Sequence, residues 1–255
     1  MPRCMMLLTV LSVFTFVRPA AADRGIILPE DPSAPVAELW YIDPVVGSQP
    51  EVIVYRNGRV WARVGEGAIW GQLDEVEFTT VLNGIWREDR VSETSTDLIA
   101  QELESAAQDS GLPSEVEQKS ETVIRLRTID KLIQVRAPAV GVLATRYPSA
   151  SALQKVAATQ RRMENLRAVT MAGGHDAAQR LASQAKQQLL SEHGQTVDIS
   201  CKNLTMVRSL PDGTRFCQFI VPSDEAPGRN SHVVSLFESP GTAPRISVLP
   251  NALRN

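Results

Sequence analysis

The chain has 255 residues, 26 basic and 29 acidic side chains and a formal net charge of −3. That length allows one large domain or two small ones with an ample core. With no basic excess, the composition argues against a nucleic-acid partner.

The first residues read as a secretory signal peptide. Pro2-Arg3 gives a short positive start, and Met5 to Val17 is an apolar run too short to span a bilayer as a helix. Ala20-Ala21-Ala22 is a small-residue cleavage site, so residues 1–22 are expected to be removed before Asp23. The cut takes away Arg3 and Arg18 and moves the net charge from −3 to −5. A secreted or periplasmic protein follows, with no transmembrane segment. Arginine outnumbers lysine 21 to 5, which points to a bacterial source. Cys201 and Cys217 remain after the cut, and an oxidising compartment makes a disulfide between them a candidate.

Residues 23–35 hold three prolines and read as a flexible lead-in. Val36 to Ile42 suits a strand, and Asp43 to Pro50 a loop. The segment Pro50 to Val64 is a hairpin. Asn57-Gly58 signals a two-residue type I′ turn, which sets Tyr55 opposite Val60, Ile53 opposite Ala62 and Glu51 opposite Val64. That face is expected to look inward, with Arg59, Trp61 and Arg63 on the outer one. After Gly65, Gly67 and Gly71 the period turns helical. Asp74 and Glu77 have capping-box spacing, Leu73 and Phe78 staple positions, and Phe78, Val81, Leu82, Ile85 and Trp86 form one stripe. Core packing is the default for Trp70 and Trp86.

Ser95 or Thr96 is expected to cap a second helix that ends at Gly111. Thr122 to Arg136 reads as a second hairpin turning at Ile129-Asp130, with Ile124 opposite Val135 and Leu126 opposite Ile133. Arg125, Arg127, Gln134 and Arg136 share its wet face. Ser149 or Ser151 should cap a long helix broken at Gly173-Gly174, and another helix runs from Asp176 to Gly194. The tail reads as strands, over 196–199, 204–210, 214–221, 232–237 and 245–249, with a turn at Pro211-Asp212-Gly213.

These elements predict an α+β fold of antiparallel β-hairpins alternating with helical pairs, sheet layered on helix, with a β-rich C-terminal part. The hairpin-plus-two-helix unit occurs twice within 36–194, without a residue-level repeat, and 195–255 is a β-rich region that can complete the same domain.

The chain carries no local catalytic, metal or cofactor motif, so no catalytic residue, metal ligand or cofactor is assigned. His175 and His193 sit at helix ends, where the backbone accounts for them. Two charge blocks stand side by side. Residues 88–121 have ten acids and two bases, and 122–168 nine bases and two acids. Arg125, Arg127 and Arg136 are therefore candidate anion-binding residues, weighed against neutralisation of one block by the other within the fold. Trp61, between Arg59 and Arg63 on one strand face, is the candidate ligand contact. Asn203-Leu204-Thr205 is a glycosylation sequon only in a eukaryotic secretory pathway. The function expected is that of an exported, non-enzymatic binding protein, its partner an anionic polysaccharide or another envelope protein. The alternatives are a hydrolase using His175 or His232 with a distant carboxylate, and a structural envelope module.

Overall fold

The computed structural model describes residues 26–117, 120–194, 197–222 and 231–250. The signal peptide and its cleavage site lie outside these residues. Two sheets form. The first has six strands, β1 (Pro35–Asp43), β2 (Gly47–Tyr55), β3 (Arg59–Val64), β4 (Gly67–Gln72), β5 (Glu121–Arg127) and β6 (Leu132–Pro138), in the order β4-β3-β2-β1-β5-β6. The second is a meander of β7 (Leu204–Ser209), β8 (Arg215–Pro222), β9 (Ser231–Glu238) and β10 (Arg245–Pro250). Every pairing among the described residues is antiparallel. The helices are α1 (Glu75–Asn83), α2 (Thr96–Ser110), α3 (Val140–Arg146), α4 (Ser151–Ala172) and α5 (His175–His193). The class is α+β, as the alternation of periods predicts.

The two hairpins do not stay separate units. β1 pairs with β5, Leu39 opposite Ile124, and fuses them into one sheet. Its inner face is apolar: Leu39, Val52, Val54, Val60, Ile124, Leu126 and Val135 are buried there. Leu82 follows from α1, Ile85 from the π-helical turn Gly84–Glu88 after it, Ile99 and Leu103 from α2, and Leu153, Val156 and Met163 from α4. α4 is 22 residues long and serves both cores. Up to Leu166 it belongs to the first core; Ala168, Val169 and Ala172 pack with α5 and the second sheet. The Asn165 amide donates to the carbonyls of Cys201 and Leu204 at 2.8 Å each and joins α4 to the start of β7.

The second hairpin has the expected register. The first does not. Val54 lies opposite Val60 and Ile53 opposite Trp61, one residue away from the type I′ pairing. The Gly58 N–H donates to the Tyr55 carbonyl, and only Gly58 of the turn has positive φ, at 79°. This is a type I turn followed by a left-handed glycine, a three-residue connection rather than a two-residue one. β3 keeps its expected faces, with Val60 and Ala62 buried, but β2 exchanges them. Val52 and Val54 point inward, Tyr55 and Ile53 are half-buried outside, and Val64 is exposed. The layering survives because β2 is apolar on both faces. Backbone bonds from an earlier segment of the chain account for the shift. Arg56 and Asn57 donate their N–H groups to the carbonyls of Ala34 and Pro32, so residues 26–34, expected to be free, hold the turn.

Three other local readings change. β4 is a strand where glycines suggested a loop, and β2 begins at Gly47 inside another expected loop. α4 takes no cap from Ser149 or Ser151. Glu102 of α2 accepts from the Ala152 N–H at 2.7 Å and the Ser151 hydroxyl at 3.1 Å. Residues 197–199 are not a strand, and a 3-10 turn, Cys201–Asn203, leads into β7. Both caps of the first two helices are as expected: the Asp74–Glu77 capping box is complete, and Ser95 accepts from the Leu98 N–H.

Candidate functional site

Because successive residues of a strand alternate faces, the buried positions above leave a defined set of side chains on the outer face of the first sheet. Register carries one row across all six strands. Trp70 lies opposite Trp61, Trp61 opposite Ile53, Ile53 opposite Glu38, Glu38 opposite Arg125 and Arg125 opposite Gln134.

At one end of this row Arg59 sits over the ring of Trp70, 4.2 Å from its centroid, and Tyr55 leans on the same ring at 5.6 Å. Trp70 is 52% exposed, so the sandwich faces water. Core packing was the expectation for Trp70, and the unrecognised strand β4 is why it fails. Trp86, by contrast, packs half-buried against the first core. At the middle of the row Glu38 is only 7% exposed, although it sits on the outer face. The Trp40 indole donates to it at 2.7 Å, and Arg125 approaches it at 3.7 Å while lying over the Trp40 ring at 4.6 Å. The buried carboxylate holds an indole and a guanidinium flat against the sheet. No sequence pattern marks this trio, because the Glu38–Arg125 pair spans two strands far apart in the chain.

The structure splits the residues singled out beforehand. Arg59 and Trp61 are on the aromatic face, but Arg59 stacks on Trp70 rather than on Trp61. Arg63 turns its guanidinium to Glu51 at 3.0 Å and to the Gly65 carbonyl at 3.1 Å. Arg125 is engaged by Glu38, Trp40 and Gln134. Arg136 pairs with Glu121 at 3.4 Å. Arg127 is exposed and has no ion-pair partner among the described residues. The adjoining charge blocks do meet: Arg162 binds Glu88 and Asp89, and Lys155 reaches Glu93.

Cys201 and Cys217 are both free and buried, so the candidate disulfide is not formed. Burial pushes both thiols up, Cys217 to about 12 with Glu238 adding to it. His175 is exposed at the start of α5, and its two ring nitrogens are each 3.7 Å from the Cys201 sulfur. A raised thiol equidistant from both nitrogens is not arranged as a nucleophile with its base. Among the described residues neither His175 nor His232 is paired with a carboxylate, and no group of three or more His, Cys, Asp or Glu is placed to hold a metal ion. The side chain of His193 lies outside the described set. Asn203 of the sequon is engaged by Ser200 and by the Ile220 carbonyl. No helix among the described residues is long and apolar enough to cross a membrane.

No protein-family model, no curated protein and no solved structure matches this chain.

Proposed function

We propose that the chain is an exported, non-enzymatic binding protein, cut before Asp23 and working in the periplasm or outside the cell, and that an anionic polysaccharide lies along the outer face of its six-stranded sheet. The observation that carries this reading is Arg59 stacked on the exposed ring of Trp70, with Tyr55 against the same ring and Trp61 opposite it. Flat aromatic rings offer apolar surface to the faces of sugar rings. A guanidinium presents paired donors that fit a carboxylate or sulfate, and one already lying on an aromatic ring is held in place for it. Arg127, on the same face three strands away, adds a second cation with no ion-pair partner among the described residues. The whole chain is net negative, so attraction for a polyanion has to be local, and Arg59 and Arg127 supply it on this face.

The test is titration calorimetry of the full chain and of a variant carrying Arg59→Ala, Trp61→Ala and Trp70→Ala, against polygalacturonate and alginate at low and moderate salt. The variant should keep the parent's circular dichroism and thermal unfolding and lose at least about tenfold in affinity, a difference of about 1.4 kcal/mol. Added salt should weaken the parent's binding. Unchanged affinity in the variant, or equal binding of an uncharged glucan by the parent, rejects the reading. Mass spectrometry of exported protein tests the cut, which should leave Asp23 as the first residue.

A further inference from the structure

A cleft of 570 Å³ opens at the other end of the first sheet, away from the Asn57–Gly58 turn. Its walls come from the β1–β2 turn, the chain leading into β5 and the start of α3. Val46, Val116, Val140 and Val142 give them an apolar lining, interrupted by Asp43, Glu117 and Ser120. Val46 is 62% exposed and Val142 48%, so two valines stand exposed at the opening. The floor is polar and is made of Tyr41, Gln49, Thr122 and Gln160, with Glu51 and Arg63 beside them. Size, apolar walls and a few converging polar groups are the features of small-molecule sites.

A second observation falls on the same place. Ala139, in the wall, has φ 42° and is one of two non-glycine residues with positive φ among those described. Its N–H donates to the Ser120 carbonyl at 2.9 Å, and its carbonyl accepts from the Val142 and Leu143 N–H groups of α3. A residue with a Cβ is held in this region only when its surroundings impose it, and such strain collects at ligand sites.

The charges decide what the cleft suits. Glu51 is taken by Arg63 at 3.0 Å and Arg167 at 3.5 Å. Glu164, behind the floor, accepts from the Tyr41 hydroxyl and from Gln160. Asp43 accepts from the N–H groups of Val45 and Val46 and from Ser120. Glu51 and Arg63 thus hold each other, and Asp43 and Glu164 are hydrogen-bonded within the protein, so a charged head on the floor would be desolvated against groups already engaged. What stays open to a ligand is neutral. The Gln49 amide has no partner among the described residues, and the Thr122 hydroxyl, which donates to Gln160 at 3.0 Å, keeps its lone pairs. Glu117, at the mouth, counts further against an anion, and being exposed to water it repays little of the desolvation of a cation seated on the floor.

We infer that this cleft is a second binding site, for an uncharged amphipathic molecule that sets its apolar body against the four valines and a hydroxyl or amide group on Gln49 and Thr122. It stands apart from the sheet-face reading, whose Trp70 and Arg59 it does not use.

Three probes of one shape test it: cyclohexanol, cyclohexylammonium and cyclohexanecarboxylate, titrated into the full chain and followed by methyl NMR. Cyclohexanol should shift the methyls of Val46, Val140 and Val142 saturably, with a Kd on the order of a millimolar for so small a ligand. The two ions should bind at least about tenfold more weakly. Val142→Arg, on an exposed helical position, should keep the remaining methyl pattern and abolish the shifts, and Gln49→Ala should weaken binding several-fold. Trp70→Ala should leave the titration unchanged, which separates this site from the sheet face. Absence of saturable shifts, an ion that binds as well as the alcohol, or full binding by Val142→Arg overturns the inference.

Discussion

Arg162 crosses Gly84 so closely that a Cβ on that glycine would stand 2.2 Å from the guanidinium carbon. The guanidinium is held there by Asp89, through Nε at 2.9 Å and Nη2 at 3.0 Å, and by Glu88 at 2.7 Å. Asp89 is buried, so this forked pair ties α4 to the turn after α1. Gly84 itself has helical angles, φ −56° and ψ −51°, which alanine prefers. The effect of Gly84→Ala should therefore change sign with its neighbour. In the parent it should destabilise by about 2 kcal/mol by displacing the fork, and Arg162→Ala alone should cost about 3 kcal/mol by leaving Asp89 unpaired. On the Arg162→Ala background it should stabilise by about 0.5–1 kcal/mol. Urea unfolding of the four chains measures the cycle, and equal costs on both backgrounds would discard it.

Tyr41 gives the fold an alkaline limit. Burial first, and then the adjacent Glu164 charge, hold its phenol protonated well above the ordinary value of 10.0. In the unfolded chain the same phenol ionises near that value. The unfolded state thus releases a proton that the folded state keeps, and stability falls as pH rises past 10, by up to about 1.4 kcal/mol per pH unit. Tyr41→Phe removes this slope. It should be less stable than the parent at pH 7, by about 1 kcal/mol for the lost hydrogen bond, and the gap should close between pH 10 and 11. Tyr55, also raised, stays in both chains and cancels in the comparison. A gap that persists at pH 11 would show that the phenol ionises freely in the folded protein.

Strong local chemistry was legible in the chain, and long-range choices were not. Asp74 and Ser95 cap as expected because their partners lie three residues on. The second hairpin keeps its register because its wet and dry faces differ sharply. α4 defeats the same reasoning: its first turn is capped by Glu102, 50 residues away, a donor–acceptor match that no spacing rule encodes. β4 was hidden by its glycines, yet Gly71 is needed small, since a Cβ there would meet Thr170 of α4 at 2.9 Å. The candidate face was half legible. Arg59 and Trp61 follow from the alternation on β3, whereas Trp70, Glu38 and Arg125 join them only once β4 and the β1–β2 and β1–β5 pairings exist.

Cys217 is fully buried opposite Val207 and Leu236 in the second sheet, and Cys201 is buried under α5. With both thiols raised by burial, the thiolate needed for reaction is scarce at neutral pH. The folded chain from Asp23 onward, which lacks Cys4, should resist Ellman's reagent at pH 7.5 over minutes and react at both positions once unfolded in guanidinium. Non-reducing and reducing gels of protein recovered from an oxidising compartment should agree. Rapid labelling of the native chain, or a mobility shift on reduction, would contradict the burial.

The first turn separates two backbone geometries by mutation. In a type I′ turn both Asn57 and Gly58 need positive φ, and replacing either by alanine is strained. In the observed turn only Gly58 does, and a Cβ on it would also meet the Leu73 carbonyl oxygen and the Gln72 amide, each at 2.9 Å. Of the Asn57 bonds only the side-chain acceptor for the Arg59 N–H, at 3.1 Å, is lost with alanine, since the others are made by its backbone. Gly58→Ala should therefore cost about 2 kcal/mol, from the left-handed backbone and the forced contact together. Asn57→Ala should cost well under half of that, about 0.5 kcal/mol, for one exposed hydrogen bond. Thermal unfolding of the two variants decides. Equal, large losses would restore the two-residue turn, and with it the pairing that puts Tyr55 and Ile53 inside and Val52 and Val54 on the face now assigned to the aromatic row.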